Sequence, residues 1–129
     1  MNKLQNFNLE AEKLFQPILA NHGYTLVERT ITQLHGQDWS AKHVYIHNKN
    51  KLRVEITQEP YYSDYGFSFT IFNTTNDECN MLCNVPHENQ DKEDKFLVSV
   101  CDEIFSNEEL VNIIEGKFWR RLGFIPIKW

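Results

Sequence analysis

Cys79, Cys83 and His87 recur at four-residue intervals in Cys79-Asn80-Met81-Leu82-Cys83-Asn84-Val85-Pro86-His87. On a helix, two sulfurs and an imidazole at that spacing would share a face and could hold a soft divalent metal, with Cys101 as a fourth ligand. Pro86 interrupts the helix that geometry needs, and the tight Cys-x2-Cys knuckles of structural zinc sites are absent. The expectation is therefore no metal and no cofactor, with the cysteines acting as small hydrophobes. His43 and His47 share one side of a strand with Tyr45 between them. At a rise near 3.3 Å per residue they stand about 13 Å apart, too far to share one ion, and both are expected on the wetter face. No cysteine sits in a recognisable nucleophile elbow, and no spacing restricts which of the three cysteines could pair with which of the five histidines. Of the paired carboxylates, Glu55 with Glu59 and Asp77 with Glu78, neither has the apolar setting that raises a catalytic pKa. The five glycines are spread singly, so no loop cradles phosphate. No catalytic residue is assigned.

The elements that must position these side chains are read from periodicity. Phe7, Ala11, Leu14, Phe15, Ile18 and Leu19 recur at three and four, which predicts a helix over 8–21. Asn6 or Asn8 would cap its start and Gly23 would end it; Pro17 would kink or break it. Strands follow over 24–34 and 39–47, joined through His35-Gly36-Gln37-Asp38. Leu52, Val54 and Ile56 alternate with Arg53 and Glu55 in a third strand over 51–58. Tyr65, Phe67, Phe69 and Ile71 alternate with Gly66, Ser68 and Thr70 in a fourth over 65–73. Residues 74–91 read as an irregular surface segment. Phe96, Leu97, Val100, Cys101, Ile104 and Phe105 predict a helix over 92–105, with a strand through Phe96 to Val100 as the competing reading. Ser106-Asn107-Glu108-Glu109 is a capping-box pattern opening another helix that Gly123 would end. The fold class is α+β: an N-terminal helix, an antiparallel four-stranded meander, and one or two C-terminal helices packed on one face of the sheet.

The chain has 129 residues, 41% hydrophobic and 13% aromatic, which predicts a single ordered domain. No run of about 18 apolar residues predicts a membrane span. Three cysteines and no secretion-signal pattern point to the cytoplasm. The net charge of −5 is unevenly laid out. Residues 1–76 balance, residues 77–115 carry −9, and the last fourteen carry +4. An acidic field of that kind disfavours nucleic acid and favours a basic protein partner.

Two resemblances bear on function. Lys117-Phe118-Trp119-Arg120-Arg121-Leu122-Gly123-Phe124-Ile125-Pro126 resembles the last helix and strand of GNAT acetyltransferases. That family grips the coenzyme A pyrophosphate with an Arg/Gln-x-x-Gly-x-Gly/Ala turn, which has no counterpart here, so the activity is not carried over. In type, though not by any motif, the acidic α+β chain also resembles bacterial toxin-immunity proteins. That resemblance implies a binding protein that neutralises a basic toxin by occlusion. Its contact residues would be Asp77, Glu78, Glu88, Asp91, Glu93 and Asp94, with Tyr61, Tyr62 and Asp64 as an aromatic anchor on the turn after the third strand. The alternative is a small enzyme or ligand-binding domain with a pocket between sheet and helices, lined by Phe67, Phe69 and Trp119.

Overall fold

The computed structural model describes residues 3–59, 66–91 and 94–120. Its elements in chain order are α1 (Lys3–Asn21), β1 (Tyr24–Leu34), β2 (Gln37–His47), β3 (Leu52–Gln58), β4 (Phe67–Asn73), β5 (Glu78–Val85), a 3-10 turn (His87–Asn89), α2 (Phe96–Ser106) and α3 (Glu108–Ile114). The fold is α+β, and its sheet is a fully antiparallel meander in the order β1-β2-β3-β4-β5. It has five strands where alternation predicts four.

The additional strand, β5, lies inside the segment expected to be irregular. Asn73 and Asn76 build the turn that reverses the chain into it. The Asn73 Oδ1 accepts from the Thr75 N–H and the Asn76 Oδ1 from the Glu78 N–H, both at 3.0 Å, while Asp77 takes φ of 60°. Such side chain-to-backbone bonds are how asparagine specifies a turn. Two features hide the strand from a hydropathy reading. Its register against β4 slips between Phe69 and Thr70, opposite Leu82, and a bulge breaks the period of two. Its buried Asn80 looks like a loop residue, but its amide bonds both the N–H and the carbonyl of Arg120 at 3.1 Å.

In β3 the alternation matches the structure: Leu52, Val54 and Ile56 are buried between half-exposed neighbours. Phe67, Phe69 and Ile71 continue that row on β4. The helices cover this face. α1 lays Phe7, Ala11, Phe15 and Leu19 on it, and the Phe15 ring centroid lies 5.7 Å from that of Phe69. α2 runs beside α1 in the same direction. An Asn6–Asp94 hydrogen bond of 2.7 Å ties their first ends, and the rings of His22 and Phe105 stack at 5.7 Å near their last. α3 closes one end of the layer, where the Tyr24 hydroxyl donates to the Ile114 carbonyl at 2.6 Å. Burying four phenylalanine side chains in this layer contributes on the order of 10 kcal/mol against unfolded exposure.

Helix boundaries differ from expectation in all three helices, and α2 starts at Phe96 rather than 92. α1 starts at Lys3, five residues early, and runs on through Pro17, whose side chain is exposed. Asn6 and Asn8 therefore lie inside it rather than capping it. α3 is capped by Asn107, whose Oδ1 accepts from the Leu110 N–H at 3.2 Å, not by Ser106. It stops at Ile114, and Gly116 turns the chain away with φ of 79°; a helix continuing to Gly123 is excluded. Residues 117–120, the start of the acetyltransferase-like stretch, are not helical.

Candidate functional site

The two ends of the sheet differ in what they contact. At the turn pole the β2–β3 turn meets both the β4–β5 turn and the end of α3. The Thr74 N–H bonds the Lys51 carbonyl at 2.9 Å, and the Asn50 amide bonds the Glu115 carbonyl at 3.2 Å. At the loop pole, Glu59 and Gly66 meet His87 and Gln90, and Asp94 bonds Asn6 of α1. Gln58 and Gln90 exchange two amide hydrogen bonds of 2.7 and 3.1 Å, and the His87 Nε2 donates to the Glu59 carbonyl at 2.8 Å. β5 separates the poles by about 23 Å at the ordinary strand rise.

This geometry divides the acidic segment. Asp77 and Glu78 are exposed at the turn pole, and Glu88 is exposed at the loop pole. Asp91 and Asp94 serve the chain itself. The Asp91 carboxylate accepts from the N–H groups of Lys95 and Phe96 at 2.9 and 2.8 Å, which tethers the start of α2. Asp94 is only 2% exposed, accepts from Asn6, and so does not lie on the surface. Glu93, Tyr61, Tyr62 and Asp64 lie outside the described residues, as does Tyr65.

Carboxylates that the charge run did not single out join Asp77 and Glu78. Asp102, Glu103 and Glu108 are exposed around the α2–α3 corner, and none takes part in an ion pair among the described residues. Glu109 is held by Arg120 at 2.6 Å, and that charged hydrogen bond lowers its pKa. Arg120 also links this corner to β5, since its backbone bonds Asn80, two residues from Glu78. Glu115 is lowered by Lys117 first and His22 second. Lys49 and Lys51 are the exposed cations on the neighbouring turn. The signal for Asp102 and Glu103 was present in the sequence: with Val100, Cys101 and Ile104 facing inward, helical spacing turns both outward.

The sulfur–imidazole set is dispersed. Cys79 and Cys83 sit on a strand, not a helix, and the His87 ring is directed at the Glu59 carbonyl. Cys101 is buried on α2 with its thiol pushed up to about 11, chiefly by burial, so it is a poor thiolate ligand. Among the described residues no group of three or more His, Cys, Asp or Glu could hold a metal ion. Phe67 and Phe69 are fully buried against Phe7, Phe15, Phe96 and Phe105, and Trp119 packs on the same core. These are the rings named as the lining of a pocket in the alternative reading, and here they pack against other core side chains.

His43 overturns its expected placement. Ala41, His43 and Tyr45 face α1 and are at most 1% exposed, while Val44 takes the opposite face. His43 shares a 2.5 Å hydrogen bond with Asn8, and burial lowers its pKa. Neither His43 nor Tyr45 presents an atom to solvent, so neither can touch a substrate in this arrangement.

Comparison with protein-family models, with curated proteins and with solved structures finds no match to this chain. No helix among the described residues is long and apolar enough to cross a membrane.

Proposed function

We propose that this chain is a non-enzymatic binding protein of the immunity kind, which occludes a basic protein partner, a toxin, with its turn pole. The observation that carries the reading is the gathering of exposed carboxylates at one end: Asp77 and Glu78 on the β4–β5 turn, with Asp102, Glu103 and Glu108 on the α2–α3 corner. A surface on which exposed carboxylates outnumber the neighbouring Lys49 and Lys51 suits association with a basic partner. It accelerates encounter with a basic face and penalises like-charged partners. The corner is also rigid enough to present that charge, because Arg120 clamps α3 to β5 and Tyr24 clamps it to β1.

The test is affinity capture from the native cell with the intact chain and with an Asp102→Asn/Glu103→Gln/Glu108→Gln variant, followed by mass spectrometry. A stoichiometric basic protein retained by the first and lost by the second supports the reading. Its affinity should fall steeply from low to high salt, as exposed charge pairs are screened. A partner bound equally by both chains, or with affinity flat in salt, refutes the acidic corner as the interface.

A further inference from the structure

The seam between α1 and the β1–β2 hairpin is unlike the rest of the core, because it buries a titratable ring with half its hydrogen-bonding capacity unused. His43 is fully buried in mid-strand, its ring centroid 6.0 Å from that of Phe7 on α1. Its Nε2 lies 2.5 Å from the Asn8 Oδ1. An amide oxygen can only accept, so Nε2 carries the proton and Nδ1 is left as a bare lone pair. Nδ1 is buried and has no partner, and the hydroxyl of Tyr45, two residues along the same row, is likewise buried without one. The charged groups that face the ring are Glu12 from α1 and Arg29 from β1. They pair with each other at 3.1 Å across the mouth of the seam, so their fields largely cancel at the imidazole.

We propose that this seam is an acid-sensitive latch, in which a second proton on the His43 ring releases the first half of α1 from the sheet. The added proton goes to Nδ1, where no acceptor waits and no water reaches, and an unpaired buried charge is among the costliest states a fold can hold. Opening the seam hydrates the imidazolium and frees Glu12 to pair with it. Strands β3 and β4 hold no titratable group in this seam and keep their mutual pairing. Release uncovers the layer of Phe7, Phe67 and Phe96, an apolar surface that is closed at neutral pH. This device stands independently of the acidic pole.

The direction follows from linkage. Burial holds the ring neutral in the closed state, whereas an open imidazole titrates near its ordinary 6.5. Below that value the open state binds the extra proton, and the opening constant rises by up to about tenfold per pH unit.

Amide hydrogen exchange between pH 5 and pH 7.5, corrected for intrinsic rates, tests the latch on the full chain. Residues 4–12 should lose protection progressively below about pH 6.5, while β3 and β4 stay protected. A His43→Gln variant, which can still donate to Asn8, should show no such pH dependence. Asn8→Asp keeps the histidine and supplies an acceptor charge, and should weaken or reverse the trend. Loss of protection in β3 and β4 in step with α1 would overturn the proposal in favour of global acid unfolding. An unchanged pH profile in either variant would assign the effect to another group and overturn it equally.

Discussion

Replacing Gly66 with alanine tests whether the loop pole is a built framework. Gly66 has φ of 55°, and an added β-carbon would lie 2.5 Å from the Val85 carbonyl oxygen, 3.0 Å from the Gln90 Nε2 and 3.0 Å from the His87 nitrogen. Gly36, in the β1–β2 turn, is the internal control: φ is 78°, and nothing lies within 4 Å of its added carbon. Both substitutions carry the left-handed penalty of an L-residue, about 1–2 kcal/mol. Both regain about 0.4–1 kcal/mol by narrowing the unfolded ensemble. Gly36→Ala should therefore cost about 1 kcal/mol or less. At Gly66 the Val85 carbonyl must also move, and it is the acceptor for Gln90 at 2.9 Å. That shift disturbs the paired amides of Gln58 and Gln90, where Gln58 is 1% exposed. Leaving a buried amide unpaired adds about 1–3 kcal/mol, so the expected total for Gly66→Ala is about 2–4 kcal/mol. Urea unfolding of both variants with a common m-value measures the difference. If the two costs agree within about 0.5 kcal/mol, the loop pole yields freely and the framework argument fails.

The two buried tyrosines should respond oppositely to loss of their hydroxyls. Tyr24→Phe strands the Ile114 carbonyl and should cost about 1–3 kcal/mol in urea unfolding, whereas Tyr45→Phe removes an unpartnered hydroxyl and should be neutral or stabilising. Burial raises both phenols above their ordinary 10.0, so each contributes stability that is present below pH 10 and lost as pH rises beyond it. Tyr45→Phe should flatten that alkaline decline, which thermal unfolding from pH 9 to 11 detects. Asn107→Ala removes the α3 cap and should cost about 1 kcal/mol, read as a lower urea midpoint. Asp102→Asn and Glu108→Gln should leave stability within about 0.5 kcal/mol, so any loss of partner binding they cause reports on the surface and not on folding.

What could be read from the chain depended on whether a residue's hydropathy agreed with its face. In β3 and β4 it did: Leu52, Val54, Ile56, Phe67, Phe69 and Ile71 all point under the helices, and the meander was legible from them. In β2 the agreement fails, because Val44 is also sheltered on the outer face while His43 and Tyr45 point inward. A strand protected on both sides offers no contrast for alternation to report. β5 was lost for a related reason: its bulge at Leu82 breaks the alternation against β4, and its inward Asn80 is satisfied by Arg120, far along the chain. The end of α3 turned on a choice between Gly116 and Gly123, which look equivalent along the chain. Gly116 is set by contact: its surroundings are Asn50 and Leu52, which only the folded sheet brings there. The same distinction governs the candidate site. Counted along the chain, 77–94 is one acidic run; folded, β5 splits it between opposite poles, and two of its members turn to tethering α1 and α2. The surface that replaces it is assembled from two runs, 77–78 and 102–108, joined through Arg120. A charge count finds how much field a protein carries, but topology decides which end carries it.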